Sequence, residues 1–388
     1  MTISLKKINN ILLKPKPSKW GKGISLLWRG NLASLYFLGI KNLFDKKNLN
    51  KLNHQDLFLF ESARVAIYQY ANFINLNSKD SVQILGFTCD AVTKAIEPFG
   101  SEIILYDCDE NLESLDFKID SNTKLIIAQN TFGIDALSKE ILEEASKKGI
   151  HVLIDKSLSY GSDDFKSVYS KDYPEIFSFE VSKSFTIGWG GILKLPNKKI
   201  KDDFTKFYKS LNSVRFFNDL YRVFLTILNL LIIRRGSFIK YYFWLMLRII
   251  GFHRLSAKSS SRTYQINSKL GKLSKRIFIS LYDHIPSMLI KSNKNHELLR
   301  AVIEKKGFKV ISRVSEKHSV PRIAFLVNNA KRKKLEHFLI NHKIEMGLWF
   351  DSLPMKLHKN DLTGANKLFE NVVNLPCHFS LNDDEIDM

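Results

Sequence analysis

Lys183 stands between two short apolar runs, residues 176–179 and 191–195, with Ser182 and Ser184 on either side and Gly188, Gly190 and Gly191 behind it. Both runs read as short buried strands, which puts the lysine in the turn of a strand pair. A lysine there can serve as a Schiff-base amine if a low-dielectric site lowers its pKa and exposes the nitrogen lone pair. In a chain with 59 Lys and Arg, such a lysine is by default a surface charge. Three upstream features change that reading. Asp155 ends the apolar run 151–154, and a carboxylate buried at a strand end needs a cationic partner. Ser62 opens the helical stretch SARVAI, whose free N–H groups and dipole favour an anion such as phosphate. Ser62 is equally well an ordinary N-cap. Ser178, upstream of the lysine, can donate a further hydrogen bond. A lysine for an imine, an aspartate for a protonated pyridine nitrogen, and a serine with a helix end for a phosphate describe a site for pyridoxal phosphate.

The elements that would position these groups alternate. A helix after Ser62 ends near Asn75. Strands are expected at 82–85, 102–106, 124–129 and 151–154, with helices at 90–98 and 138–148, the latter opened by Ser138 with acids in its first turns. Strands alternating with helices predict a mostly parallel, doubly wound α/β sheet. Sites in such sheets lie at the carboxyl ends of the strands, where Phe87, Thr131, Asp155 and the Lys183 turn fall. A chain of 388 residues exceeds one ordinary core. It divides into a basic N-terminal arm (1–50), a large cofactor-binding domain (51–200), a basic, aromatic-rich helical segment (201–290) and a small C-terminal α/β domain (291–388). In the arm, residues 25–44 read as an amphipathic helix that packs on the body or meets a membrane. In the small domain, helices are expected at 296–305 and 331–341 and strands at 309–314, 323–327 and 344–349.

Hydrophobic residues make up 45 % of the chain and the formal net charge is +20, so it folds and carries a basic face. No acid occurs between Asp219 and Asp283, while 223–233 and 238–252 are heavily apolar. These runs are too short and interrupted to span a bilayer. Residues 201–285 fit a hairpin lying on an anionic membrane surface, or an insert packed between lobes or subunits. Nucleic acid fits less well, because the aromatics cluster instead of spreading along a groove. Three cysteines, Cys89, Cys108 and Cys377, lack metal-type spacing and suit a reducing cytosol. No signal peptide and no spanning run is read, so the expected location is cytoplasmic, with peripheral attachment to the inner membrane face as an extension.

Taken in order, these motifs resemble the DegT/DnrJ/StrS family of pyridoxal-phosphate-dependent aminotransferases, which make amino sugars on nucleotide carriers. The resemblance rests on SARVAI at 62–67, the strand–turn–helix from Val82 through Phe87, the Thr131–Gly133 turn, Asp155, and the S-F-x-x-x-K…G-x-G-G element from Ser178 to Gly191. Residues 347–351 and 373–378 extend it into the C-terminal lobe. It implies a fold-type-I aminotransferase, usually a homodimer with sites at the interface. Lys183 is then the amine that bonds the cofactor and moves the proton. Asp155 keeps the ring nitrogen charged. Ser178 and the backbone at Ala63 and Arg64 hold the phosphate, and Phe87 or Cys89 lies against the ring. The implied reaction takes an amino group from glutamate and gives it to a keto-sugar nucleotide. The chain departs from the family pattern at Leu158, where glutamine or histidine is usual, at Lys156 and Ser157, at Cys89, and at Thr263 and Gln265, the placement of the Asn-x-Arg element. This is the pattern of a divergent member. It leaves open a catalytically silent scaffold of a polysaccharide assembly system, and a non-transaminating pyridoxal-phosphate enzyme, against which the retained Lys183 stands.

Overall fold

Strand β4, Thr123–Thr131, alternates between two apolar layers. Leu125 and Ile127 pack into one core and Ile126 and Ala128 into the other. Leu153 and Val152 of β6, His151–Asp155, divide the same way. A sheet with both faces buried reads as continuous apolar strands, as the sequence here does. The computed structural model describes residues 57–161, 164, 170–180, 183–233, 268–316, 318–341, 346–347, 350, 362–379 and 381. The basic arm 1–50, with its 25–44 stretch, and Thr263 and Gln265 lie outside the described residues, as does most of the strand expected at 344–349.

The larger sheet also contains β1 (Phe58–Phe60), β2 (Ser81–Leu85), β3 (Glu102–Tyr106), β5 (Ile134–Asp135), β7 (Glu175–Ser178), β8 (Gly191–Lys194), β9 (Asn212–Ser213) and β10 (Ser268–Lys269). Its order is β3-β2-β4-β6-β7-β8-β1-β10-β9, with β5 paired to β4. The run β3 to β7 is parallel, and β8 and β1 add antiparallel neighbours. Helices α1 (Ala63–Phe73), α2 (Asp90–Ile96) and α3 (Lys139–Lys147) connect the parallel strands. After β8 come α4 (Lys198–Ser210), α5 (Phe216–Ile233), α6 (Lys272–Tyr282) and α7 (Ile285–Lys305). A second, antiparallel sheet joins β11 (Lys309–Val310), β12 (Arg322–Leu326) and β13 (Val372–Pro376), with α8 (Asn329–Asn341) and α9 (Thr363–Asn371) between its last two strands.

The doubly wound α/β sheet is therefore as the sequence predicts. Some elements differ from expectation. Strand β1 is three buried residues long and has no alternation to reveal it. The strand expected over 309–314 stops at Val310, because Ile311 and Ser312 both donate their N–H to the Ala324 carbonyl, at 2.9 and 3.2 Å, which bulges the ladder. The helix expected from residue 296 starts at Ile285, with a proline in its first turn.

Two histidines are buried beside the smaller sheet. His296 shares a 2.8 Å hydrogen bond between Nε2 and Ser312 Oγ. The backbone carbonyl of His378 accepts from Asn295 Nδ2 at 2.9 Å. Burial depresses both pKa values from 6.5, to about 4 for His296 and about 3 for His378. The unfolded chain thus binds protons that the folded chain refuses, so stability is full above about pH 6.5 and falls as pH drops toward 4. Each histidine costs up to about 1.4 kcal/mol per pH unit in that window. Thermal melting across pH 7 to 4 should show a falling midpoint. His296→Gln should flatten the fall, and a midpoint constant over that range would contradict the assignment.

Candidate active site

The carboxyl ends of β6 and β7 lie side by side, with Asp155 paired to Ile176. Ser178, the last residue of β7, faces Gly191 across the antiparallel ladder. Gly190 in turn bridges to Ser62, the N-cap of α1, whose Oγ accepts from the Val65 N–H at 3.3 Å. A Cβ on Gly191 would lie 2.4 Å from the Ala63 nitrogen and 2.6 Å from its Cα. Only glycine allows a strand this close to a helix start. The first-turn amides of a helix have no partner inside it, and no acid occupies the first turn of α1. Ser62, Ala63, Arg64 and Ser178 are therefore gathered where an anion is favoured.

Asp155 is buried, and burial pushes its pKa up. Two groups oppose that. Ser157 donates its N–H to Oδ1 at 2.9 Å and also bonds through its hydroxyl, and the Lys183 ammonium attracts the carboxylate. Lys183 and Asp155 are thus within electrostatic reach of one another. The lysine turn is stitched by the chain itself. Lys183 donates its N–H to the Glu180 carbonyl at 3.1 Å, Thr186 Oγ1 donates to the Phe179 carbonyl at 2.8 Å, and Gly188 donates its N–H to Thr186 Oγ1 at 2.8 Å. Gly188 has φ of 93° and packs against Thr226 of α5, which a Cβ would meet at 2.9 Å. From the C-terminal half, Ser319 exchanges backbone hydrogen bonds with Tyr160 at 3.0 and 2.6 Å, and its carbonyl accepts from Ser184 Oγ at 3.5 Å. One short segment therefore ties the loop after Asp155 to the lysine turn.

Cys89 is the N-cap of α2 and is reached by solvent. Burial around the sulfur holds the thiol above its usual pKa, against the Ala91 N–H and the charges of Lys183 and Arg64. Phe87 is placed differently. Its ring is fully buried, with centroids 4.9 Å from Phe369, 5.1 Å from Phe350 and 6.4 Å from Phe132. Of the two residues expected against a ring, Cys89 is the one that feels the Lys183 charge. Leu158 is buried and apolar. Lys156, one residue beyond Asp155, lies in a separate buried ion cluster, 2.9 Å from Asp164 and 2.8 Å from Glu175. Burial alone would lower its pKa, but those carboxylates outweigh it and hold the pKa raised.

Sequence reasoning missed three neighbours of the site. Ser157 holds Asp155, and its signal was the Asp-x-Ser spacing at a strand end. Glu180, three residues before the lysine, interacts by charge with Cys89 and Tyr160. Tyr160 is fully buried, and burial, with the charges of Asp155 and Glu180, raises its phenol well above the usual value. Neither of these last two carried a signal. An amine, a buried carboxylate with the Ser157 donor and the Lys183 charge to offset its burial, and a glycine-lined helix start suit the amine-bonding, ring-nitrogen and phosphate ends of pyridoxal phosphate, so the donor set fits that group. Among the described residues no cluster of His, Cys, Asp or Glu is arranged to hold a metal.

Comparison with known proteins supplies the family. Over 166 residues the chain is 25 % identical to GDP-perosamine synthase of Escherichia coli O157:H7, a match covering 41 % of this chain and 45 % of that enzyme. The chain thus spans about half the length of that relative. Bacillus subtilis NtdA, solved with PMP bound, superposes with a TM-score of 0.66 at 15 % identity over 93 % of this chain and 82 % of that one. Helicobacter pylori PseC, an aminotransferase of pseudoaminic acid biosynthesis, gives 0.59 at 13 % identity over 100 % and 94 %. At such identities these two show a common fold. A model of the DegT/DnrJ/EryC1/StrS aminotransferase family matches residues 47–388, and the chain belongs to that family.

Proposed function

We propose that this chain is a pyridoxal-phosphate-dependent aminotransferase that moves an amino group from glutamate onto a keto sugar, carried on a nucleotide, for polysaccharide or other cell-surface glycan synthesis. The observation that carries the reading is the seating of Asp155 and Ser178 at adjacent strand ends against the start of α1, with the Lys183 charge acting on the buried carboxylate. The names of two similar proteins, a GDP-perosamine synthase and an aminotransferase of pseudoaminic acid biosynthesis, support a sugar acceptor. The enzyme works in the cytoplasm as a homodimer. Residues 51–200 hold the cofactor, and 291–388 form the smaller domain.

When bound, pyridoxal phosphate supplies an electron sink that can take up and return an amino group. The protein's own residues do the rest. Lys183 would hold the cofactor through Nζ, and its amine would move the proton to and from the substrate carbon that bears nitrogen. Asp155, oriented by Ser157, holds a proton on the ring nitrogen. The amides of Ala63 and Arg64, with Ser62 and Ser178, hold the phosphate. Cys89 lines the open side. A catalytically silent scaffold is the second reading, favoured by Leu158, which is buried and cannot hydrogen-bond.

The purified protein incubated with pyridoxal phosphate should gain a near-visible absorption band, which glutamate bleaches and Lys183→Ala abolishes. Lys183→Ala should also slow amino transfer by about 10²–10⁴-fold. A protein that takes up the cofactor without answering glutamate leaves the scaffold reading standing, and a colourless protein retires both the enzyme and its cofactor.

Ser178→Ala should weaken cofactor affinity roughly tenfold or more, the worth of a hydrogen bond to a charged group. Gly191→Ala should do more harm, since its methyl group has nowhere to go. It should cost about 1–3 kcal/mol of folding stability together with cofactor binding. Equilibrium unfolding and fluorescence titration read both, and a Gly191→Ala protein with unchanged affinity would remove the cup from the proposal.

A further inference from the structure

Helix α5 carries large apolar side chains that are exposed on one side. Phe216, Phe217, Leu220, Tyr221 and Phe224 share one helical face and are 59, 79, 43, 47 and 56 % exposed. Asp219, Val223 and Thr226 occupy the other face and are buried. Five large apolar side chains together form a contiguous patch, which marks an interaction site on a soluble protein.

Cations accompany this face. Arg215, just before the helix, is exposed. The only acid of α5, Asp219, is turned inward to cap α6. Its Oδ2 accepts from the N–H of Leu273 at 2.7 Å and of Ser274 at 3.3 Å. This is the reason for Gly271, whose Cβ would overlap the carboxylate at 2.2 Å from Oδ2. The cap seats α6 against α5, and Lys272 and Arg276 of α6 are exposed. Between Asp219 and Asp283 the chain contains no acid.

We propose that this face of α5, with Arg215, Lys272 and Arg276, docks on an anionic phospholipid bilayer. The aromatic side chains enter the boundary between headgroups and acyl chains, and the cations meet lipid phosphates. Among the described residues no helix is long and apolar enough to cross a membrane, so the contact lies in the plane of the surface. A second copy of the chain is a poorer occupant. A twofold contact sets the patch against itself and brings Arg215, Lys272 and Arg276 toward the same cations. The membrane contact does not rest on the aminotransferase reading.

Flotation of the full chain with vesicles tests it. The protein should bind phosphatidylcholine vesicles containing about 30 % phosphatidylglycerol and ignore phosphatidylcholine alone, and binding should fall as salt rises. Phe217→Ser with Phe224→Ser should weaken binding by more than about tenfold. Lys272→Glu with Arg276→Glu should weaken it by about tenfold or more and blunt its salt dependence. All four positions are exposed, and thermal midpoints check that the variants fold. If a variant does not fold, the lipid and salt arms on the unaltered protein decide. No binding to the anionic vesicles, equal binding to both compositions, or unchanged binding by folded variants would overturn the proposal. So would a dimer in sedimentation that the phenylalanine variant dissociates while vesicle binding stays the same.

Discussion

The approach of β8 to the first residue of α1 constrains the site more than any other contact. Gly191 comes so close to Ala63 that a methyl group cannot fit. Because the ladder pairs Gly191 with Ser178, that contact also fixes where β7 ends relative to the helix dipole. The lysine turn starts two residues later and closes back onto Gly188 and Gly190, so its reach is set by the same register. A one-residue slip of β8 would put Ile192 against Ala63 and turn the side chains of β8 to the other face of the sheet. The anion cup and the amine are thus two consequences of one strand pairing.

The buried charges follow from strand geometry as well. Asp155 and Lys156 are adjacent, and they serve separate electrostatic groups. Asp155 is held by Ser157 and attracted by Lys183, whereas Lys156 closes a cluster with Glu175 and Asp164. A lone buried charge is expensive, so each needs its own partner. The second cluster sits beneath Phe177, with the Lys156 and Lys194 ammonium groups 5.8 and 5.7 Å from its ring centroid. A lysine at position 156 is therefore compatible with an intact site, because its charge is satisfied elsewhere.

The parallel strands were legible because each is an apolar run bounded by polar turns, and Asp155, Ser178 and Lys183 stood out as candidates because few residue types do the chemistry proposed for them. Strand β1 was hidden, since three buried residues show no period. Strand β13 was hidden because Asn374, fully buried and bonded to Gly347, interrupts its apolar run. The choice between Phe87 and Cys89 could not be made from the sequence. Both stand at the end of the same strand, and only the packing of Phe87 on Phe350 and Phe369 separates them. Tyr160 and Glu180 were invisible for the same reason: their relation to Asp155 and Cys89 exists across the fold, not along the chain.

The tie between Tyr160 and Ser319 links the site to the second sheet. Ser319 lies just before β12, and its backbone bonds hold the loop that follows Asp155 while its carbonyl accepts from Ser184, the residue after the lysine. The Phe132 carbonyl likewise takes the Arg313 N–H, in a turn where a Cβ on Gly133 would strike the Arg313 carbonyl at 1.9 Å. Both contacts use backbone atoms, so side-chain changes in this stretch can accumulate while the connection persists. Divergence at Leu158 is bounded in the same way. Its neighbours on either side, Ser157 and Tyr160, are fixed to the carboxylate and to Ser319, so the main chain between them keeps its course whatever side chain residue 158 carries. The departure at 158 therefore changes what the site offers to a ligand at one point without loosening the frame that sets Asp155 against Lys183.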